Sequence, residues 1–129
     1  MSKTCFLIDD DEDDREIFAL ALENTTPGYK CVTAKNGLEA IKMLEEGFLP
    51  DFIFIDLNMP YLSGRECLEQ LKQMPLIANV PAIVYTTSSH DKDREETKAL
   101  GAAHYLVKPT SLTTLTNILT DILGLKHLP

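Results

Sequence analysis

The sequence predicts one α/β domain built on a parallel sheet that helices cover on both faces, a doubly wound arrangement. Short apolar segments typical of strands alternate five times with longer segments whose apolar residues recur at helical spacing. This alternation is typical of a parallel sheet between two helical layers. Glycines and almost all prolines fall between the segments, where the chain turns. No linker, repeat or low-complexity stretch interrupts the sequence, so we expect residues 1–129 to form a single domain.

The first two strand–helix units are short. Cys5–Ile8 is an apolar run that predicts a buried strand. A helix over residues 13–24 follows, and its apolar positions at helical spacing are Ile17, Leu20 and Ala21. Tyr29–Lys35 alternates and is rich in β-branched and aromatic residues, which favours a second strand. The second helix begins after the capping residue Asn36, ends at Gly47 and is expected to bury Leu38, Ile41 and Leu44.

The third unit contains the most apolar strand of the chain. Asp51–Asp56 carries four consecutive apolar residues, a run that suits a strand covered on both faces. Ser63 and Glu66 have the spacing of a capping box. They predict the start of a third helix, whose inward residues are Cys67, Leu68 and Leu71.

The last two units complete the pattern. Ala82–Thr86 is the fourth strand, and Ser88 begins a further capping-box spacing that ends at Asp91. The fourth helix is nearly all polar and closes at Gly101. Tyr105–Lys108 is the fifth strand. The fifth helix runs from the cap Ser111 to a glycine at position 124, and its inward residues are Leu112, Leu115, Leu119 and Ile122.

The charge balance excludes two classes of partner. Twenty Asp and Glu residues against twelve Lys and Arg give a formal net charge of -8, without the basic cluster that nucleic acids or anionic membranes require. No apolar run approaches the ~18–20 residues of a membrane span, and the N-terminal run is too short for a secretory signal. Cys5, Cys31 and Cys67 lack metal or redox spacing, so we expect free thiols and a cytoplasmic location.

The ends of four predicted strands bring reactive side chains to one edge of the sheet. Asp9 and Asp10 follow the first strand, and the third, fourth and fifth strands end in Asp56, Thr86 and Lys108. Doubly wound sheets bind ligands beyond the carboxyl ends of their strands. Each residue alone has an ordinary interpretation as a turn, cap or solvent residue. Their convergence on one edge predicts a functional site.

The carboxylates at this edge predict a divalent cation. Two carboxylates ~4 Å apart repel each other by roughly 4 kcal/mol at an effective dielectric constant of about 20, and a cation relieves this repulsion. Oxygen ligands without Cys or His favour Mg²⁺ or Ca²⁺ over zinc, and the chain has no EF-hand spacing. Mg²⁺ commonly combines one or two carboxylates with water and a phosphoryl oxygen. The site therefore indicates phosphate chemistry.

Asp56 is the candidate phosphoryl acceptor, because it ends the most buried strand and carboxylates do form aspartyl phosphates. Asp9 and Asp10 are expected to hold the metal. Lys108 is expected to pair with phosphoryl oxygens, and Thr86 to donate a hydrogen bond to one of them. No residue suggests a strong general base, which favours a slow phosphorylation site over a fast-turnover enzyme.

These motifs resemble those of the bacterial response-regulator receiver domain, the phosphoacceptor module of two-component signalling. The resemblance spans nearly the whole chain and rests, in order, on Ile8-Asp9-Asp10, Asp56-Leu57-Asn58-Met59-Pro60 with Gly64, Thr86, Tyr105 and Lys108-Pro109. It implies a flavodoxin-like sheet in the order 2-1-3-4-5. Among such proteins the chain is similar to single-domain, chemotaxis-regulator-like members without an output domain. Tyr85–Ser88 and Gly64–Glu66 are similar to receivers paired with phytochrome-type or other hybrid histidine kinases.

The resemblance also implies the ligands of the metal and the geometry of one peptide bond. Asp56 is the acceptor, and the backbone carbonyl of Asn58 joins Asp9, Asp10 and Asp56 around Mg²⁺. The Lys108–Pro109 bond matches one that is usually cis in the family, an isomer found almost only before proline.

Partners and switching are implied in the same way. A histidine kinase or a histidine phosphotransfer protein supplies the phosphoryl group, Thr86 moves inward and Tyr105 follows. The face built by the fourth helix, fifth strand and fifth helix then binds a downstream protein. The resemblance implies either a monomer or a homodimer. Its own chemistry is limited to slow phosphotransfer and autodephosphorylation, so it is not expected to be an enzyme.

Two other functions share parts of this pattern. Phosphatases of the haloacid-dehalogenase type also use Asp, Mg²⁺, Thr and Lys. They place the nucleophile on the first strand, however, and a second Asp two residues on, where this chain has Asn58. A flavin carrier needs a Ser/Thr/Gly-rich loop after the first strand, whereas residues 9–14 are all acidic. Of these acids, Asp11–Asp14 predict the acid-rich first turn of a helix.

Overall fold

The computed structural model describes residues 3–25 and 29–124. Its strands β1 to β5 are, in chain order, Lys3–Ile8, Tyr29–Ala34, Phe52–Ile55, Ala82–Thr86 and His104–Val107. Its helices α1 to α5 are Glu12–Glu23, Gly37–Glu45, Gly64–Gln73, Asp91–Ala99 and Leu112–Ile122. The strands form one parallel sheet in the order β2-β1-β3-β4-β5. The predicted fold class, element order and strand order are confirmed.

The two faces of the sheet carry separate cores, because successive side chains of a strand point to opposite faces. On β1, Phe6 and Ile8 join the cluster that packs under α2 and α3. Cys5 and Leu7 join the cluster that packs under α1 and α5. The central strand β3 divides in the same way, and the whole of β4 is buried. The sheet is therefore rigid where it carries the predicted site at its carboxyl edge.

The predicted apolar face of α1 is wrong in part. Ile17 and Leu20 are 46% and 47% exposed, whereas the buried residues are Phe18, Ala21 and Leu22. Phe18 packs edge-on against Phe54 at 4.8 Å between ring centroids, which turns this side of the helix inward. Two apolar arcs fit the helical period equally well, and the larger aromatic decides which one faces the sheet.

The predicted stripe of α2 is also corrected. Leu38 is 56% exposed and Ile41 is half-buried, while Leu44 is buried as expected together with Gly37 and Ala40. A Cβ on Gly37 would lie 2.9 Å from a side-chain carbon of Leu62. The helix approaches the loop after β3 through its smallest residues, which leaves the bulkier Leu38 outside.

Three of the predicted helix caps are confirmed and one is wrong. Asn36 and Ser111 each accept a hydrogen bond from a first-turn amide, and Ser63 with Glu66 forms a full capping box. Ser88 does not cap α4, whose N-cap residue is His90. The Ser88 hydroxyl instead donates to the Asp93 carboxylate at 2.5 Å. This charge-assisted hydrogen bond is stronger than the bond to a helix amide that a cap would form.

Two further expectations concern the backbone and the thiols. The Lys108–Pro109 peptide bond is trans, contrary to the cis isomer that the resemblance implies. The preference between the two isomers before proline is only about 0.5–1 kcal/mol, so local sequence does not decide it. The three cysteines are free as predicted, and burial raises the pKa of Cys31 to about 11. Within the described ranges, no helix combines the length and apolarity needed to cross a membrane.

Candidate functional site

The acidic residues of the site are fixed by the ends of two neighbouring strands. Asp9 follows β1 and continues its ladder, since its amide donates to the Ala34 carbonyl at 3.1 Å. Asp56 follows β3, and its amide donates to the Ile8 carbonyl at 3.0 Å. These backbone bonds place both carboxylates at the same edge. Asp9 is fully buried and Asp56 is 6% exposed.

Three carboxylates converge there. Oxygens of Asp9, Asp10 and Asp56 all lie within 4.8 Å of one another, with Asp10 on the exposed side. Asp9 Oδ1 accepts from the Asp11 amide at 3.0 Å. Asp56 Oδ1 accepts from the Asn58 amide at 3.3 Å. The predicted cluster is therefore present, with two carboxylates walled in by protein and one open to solvent.

Lys108 is the counter-ion of this cluster. Its ammonium lies 2.7 Å from Asp14, 2.9 Å from Asp9 and 3.2 Å from Asp56, and its side chain is only 8% exposed. The Lys108 amide donates to the Thr86 carbonyl at 2.7 Å, which extends the β4–β5 ladder by one residue and directs the side chain inward. One cation thus faces three carboxylates in a nearly closed space.

Burial and neighbouring charges together shift the pKa values of Asp9 and Lys108. Desolvation raises the pKa of Asp9 from 3.8 to about 6, and the charge of Asp56 adds to the rise. The amide of Asp11 and the ammonium of Lys108 act in the opposite direction. For Lys108, burial alone would lower the pKa, but hydrogen bonds to Asp14 and Asp9 and the charge of Asp56 hold it above its usual range. Lys108 is therefore charged at neutral pH.

The residues present fit a divalent cation. Asp9 Oδ2 is buried, no described amide or hydroxyl donates to it, and it shares the Lys108 ammonium, 2.9 Å away, with two other carboxylates. A buried carboxylate that is only partly neutralised is costly, and a further cation would complete its neutralisation. Together with Asp10 and Asp56 it forms an all-oxygen donor set, the kind that Mg²⁺ or Mn²⁺ prefers. The open side at Asp10 leaves room for water or a phosphoryl oxygen.

Thr86 and Tyr105 lie on the adjacent strands and meet at a third residue. Thr86 ends β4, is fully buried and accepts at Oγ1 from the Ser88 amide at 3.4 Å. The Tyr105 hydroxyl on β5 donates to the Ser88 carbonyl at 2.8 Å. The guanidinium carbon of Arg94 lies 4.5 Å from the centroid of the Tyr105 ring. Ser88 therefore connects the two residues that the sequence singles out.

The loop after Asp56 requires a glycine at one position. A Cβ on Gly64 would lie 2.3 Å from the Asp56 carbonyl oxygen and 2.6 Å from the Cα of Leu57. The Gly64 amide also donates to the Leu57 carbonyl at 3.0 Å. This close approach holds the start of α3 against the backbone that carries Asp56, and no side chain fits between them.

Comparison with known proteins assigns the family. A family model of the response regulator receiver domain matches residues 5–120. The chain belongs to this family. It is thus a receiver domain of the kind that works in two-component signalling, as the motifs indicate.

This receiver domain has relatives of known name and structure. It is 29% identical over 124 residues to the polar-differentiation response regulator DivK of Brucella anthropi, a match that covers 96% of this chain and 98% of DivK. A phosphorylated cyanobacterial phytochrome response regulator, RcpA, has a TM-score of 0.86 and 31% identity over 95% of this chain and 91% of its own. The Mn²⁺-bound form of response regulator Rcp1 has a TM-score of 0.82 and 29% identity, covering 93% and 91%.

Sequence reasoning missed two parts of this receiver domain's site. Asp14 lies in the first turn of α1 as predicted, but the sequence did not indicate that this carboxylate is the shortest partner of Lys108. A helix that begins beside the site brings its N3 side chain near the strand ends, so the position of Asp14 after the cap Asp11 was a usable signal. The contacts of Ser88 with Asp93, and of Arg65 with α4, left no local signal, because they depend on how helices pack.

Proposed function

We propose that this receiver domain accepts a phosphoryl group on Asp56 with the help of Mg²⁺. The observation that carries the proposal is the placement of Asp56, 6% exposed, beside two further carboxylates and 3.2 Å from a buried ammonium. Asp9, Asp10, Asp56 and the backbone carbonyl of Asn58 are the proposed ligands. When bound, the metal neutralises charge on the acceptor and on the incoming phosphoryl oxygens.

The donor is proposed to be a phosphohistidine on a histidine kinase or a histidine phosphotransfer protein. A carboxylate oxygen of Asp56 forms a bond to phosphorus as the bond between phosphorus and the donor's imidazole nitrogen breaks. The electron pair of that bond returns to the imidazole, which takes up a proton. The likeness to a phytochrome response regulator supports a kinase of the phytochrome type as the donor.

This chain's own residues hold the charge that the transfer creates. Lys108 pairs with a phosphoryl oxygen, for which it must exchange one of its carboxylate partners. The Thr86 hydroxyl donates to another phosphoryl oxygen, since it makes only a long bond at 3.4 Å as an acceptor. The other carboxylates beside Asp56, those of Asp9 and Asp10, are proposed to hold the metal and not to act as general bases, which supports slow self-catalysed transfer and hydrolysis rather than steady enzymatic turnover.

The output is proposed to be a protein contact. Tyr105 and Arg94 lie on the face of α4, β5 and α5, and Tyr105 is bonded to the loop that follows Thr86. A shift of Thr86 toward a phosphoryl group changes that loop and, with it, the surface around Tyr105. The proposal includes a cytoplasmic location, which the free cysteines support.

The test is phosphorylation by a small donor such as acetyl phosphate, followed by intact mass. The wild type is expected to gain one phosphoryl group in Mg²⁺ and none in EDTA. Asp56→Asn is expected to gain none, whereas the control Asp13→Asn, which removes an exposed acid of α1, labels like the wild type. Equal labelling of Asp56→Asn, or steady multiple-turnover hydrolysis of a phosphomonoester, contradicts the proposal.

A further inference from the structure

The fourth helix of this receiver domain has little to hold it by burial. Of the nine residues of α4, only Thr97 is buried, and the helix lacks a side-chain cap at its start. Helices without an apolar anchor open at low free energy. The position of α4 must therefore depend on polar contacts, and these contacts decide how the helix responds to its surroundings.

The strongest of these contacts come from Arg65, the second residue of α3. Its Nε donates to Glu96 at 2.9 Å, and its terminal NH₂ group is paired with Asp93. Asp93 and Glu96 lie three residues apart and so share one face of α4. Their side chains are 17% and 39% exposed, and Arg65 is 33% exposed. A guanidinium that forks across two carboxylates in a partly desolvated place holds them more firmly than a single surface pair does.

The contact of Arg65 with Asp93 is linked to the phosphorylation site through the β4–α4 loop. Asp93 accepts from the Ser88 hydroxyl at 2.5 Å. The Ser88 amide in turn donates to Thr86 Oγ1, and the Ser88 carbonyl accepts from the Tyr105 hydroxyl. Ser88 is thus held at three points, by the residue proposed to touch the phosphoryl group, by the residue on the output face, and by the helix.

The backbone of Arg65 is held next to the loop that carries the acceptor Asp56. Arg65 follows Gly64, whose position is set by the hydrogen bond to Leu57 and by contact with the Asp56 backbone. The backbone of Arg65 therefore lies next to the loop that carries the acceptor, and its guanidinium contacts α4. The loop after Asp56 and the loop after Thr86 are joined through the same carboxylate, Asp93.

We propose that Arg65 is a positioning residue that couples the phosphorylation site to α4. It holds Asp93 and Glu96 so that α4 moves together with Ser88 when Thr86 or the acceptor loop shifts. Without it, the site still takes up a phosphoryl group, but α4 no longer follows. The inference rests on the proposed function, since the shift that α4 follows is the one caused by phosphorylation.

The test compares Arg65→Gln with a matched control, Lys92→Gln. Both variants lose one positive charge that faces Glu96, but Lys92 is 84% exposed and lies 3.8 Å from that carboxylate. Among the described residues, the ion pair of Asp93 is with Arg65 and not with Lys92. Amide hydrogen exchange is measured over α4 and over the loop at Ser88, with and without Mg²⁺ and beryllofluoride as the phosphoryl analogue. Asp93→Asn breaks the same link from the other side and serves if Arg65→Gln does not fold.

Arg65→Gln and Asp93→Asn are expected to exchange α4 amides about ten-fold faster without the analogue, and Lys92→Gln to stay within about two-fold of the wild type. With the analogue, all proteins change exchange at Ser88, but the change in α4 is lost in the two variants that break the link. Labelling of Asp56 by acetyl phosphate stays within about two-fold in every variant.

Three results separate the possibilities. An α4 response in Arg65→Gln equal to that of the wild type overturns the coupling. Loss of Asp56 labelling in Arg65→Gln also overturns it, because the residue then acts in the transfer itself. A wild type that neither labels nor binds the analogue contradicts the proposed function instead, and the basal exchange of α4 still decides whether Arg65 anchors the helix.

Discussion

Replacing Asp9 by asparagine is expected to stabilise the metal-free receiver domain, although the change removes a proposed ligand of Mg²⁺. Asp9 is fully buried, and its Oδ2 shares the Lys108 ammonium with the carboxylates of Asp14 and Asp56. Asparagine keeps the oxygen that accepts from the Asp11 amide and removes the charge. The variant therefore removes the desolvation cost of a buried charge, and with it the smaller repulsion with Asp56, while it conserves the local backbone contact.

The size of the effect follows from the pKa of Asp9. Its rise from 3.8 to about 6 means that the folded protein holds the proton more tightly than the unfolded chain. The stability that protonated Asp9 contributes is fully present below 3.8, the pKa in the unfolded chain, and is lost as the pH rises through about 6, the pKa in the folded protein. A shift of about two units at ~1.4 kcal/mol each makes the charged form cost about 3 kcal/mol above pH 7. Near pH 5 the group is mostly protonated in the folded protein, and the cost falls to about 1.5 kcal/mol.

The assay is urea unfolding followed by far-ultraviolet circular dichroism in EDTA. Asp9→Asn is expected to exceed the wild type by up to about 3 kcal/mol near pH 8 and by about half as much near pH 5. The control Asp13→Asn removes an exposed acid from the first turn of α1, where the helix dipole favours it, so a loss of about 0.3–1 kcal/mol is expected. Added Mg²⁺ is expected to raise the stability of the wild type but not that of Asp9→Asn.

Two outcomes refute this reasoning. If Asp9→Asn is no more stable than the wild type near pH 8, the buried carboxylate carries no net cost. If the gain is the same near pH 5 and pH 8, it has a cause other than the charge of Asp9.

Three further changes test other parts of the site. Gly64→Ala is expected to destabilise the protein by about 3 kcal/mol in urea unfolding and to slow labelling of Asp56, because the new Cβ displaces backbone. In the control Gly47→Ala, the new Cβ enters open space and only the positive φ opposes it, so we expect a loss of about 1 kcal/mol. Equal losses of stability in the two variants contradict the steric explanation. Lys108→Met leaves buried carboxylates unpaired and is expected to lower the free energy of unfolding by about 3–5 kcal/mol near pH 8 and by less near pH 5. A urea midpoint equal to that of the wild type at both pH values contradicts this stabilising role of Lys108. Asp14→Asn frees Lys108 from its shortest contact and is expected to speed labelling by acetyl phosphate about two- to five-fold, measured in a quenched time course. If Asp14→Asn and Asp13→Asn are labelled at the same rate, the effect comes from net charge alone.

Much of the fold was predictable because a parallel sheet leaves a regular pattern in sequence. Apolar runs and capping residues such as Asn36 and Ser63 mark where elements begin, and parallel strands deliver their end residues to one edge. The strand pattern alone therefore predicts that Asp9, Asp56 and Lys108 lie at one edge, and the structure brings these three side chains into contact.

What the sequence did not predict depends on how helices turn and pack. The rotation of α1 decides that Phe18 faces inward and Ile17 outward, and both choices satisfy the helical period. The same rotation brings Asp14 to Lys108. The anchoring of α4 by Arg65 joins residues 28 and 31 positions apart, and a long polar side chain gives no local sign of its partner.

The most direct test of the central claim is to locate the phosphoryl group. Borohydride reduces an aspartyl phosphate to homoserine, which changes the mass of that single residue in a peptide map. After treatment with acetyl phosphate and Mg²⁺, we expect homoserine at position 56 and at no other acid of the site. Homoserine at position 9, 10 or 14, or an unmodified position 56 in protein that has gained a phosphoryl group, contradicts the assignment of Asp56 as the acceptor.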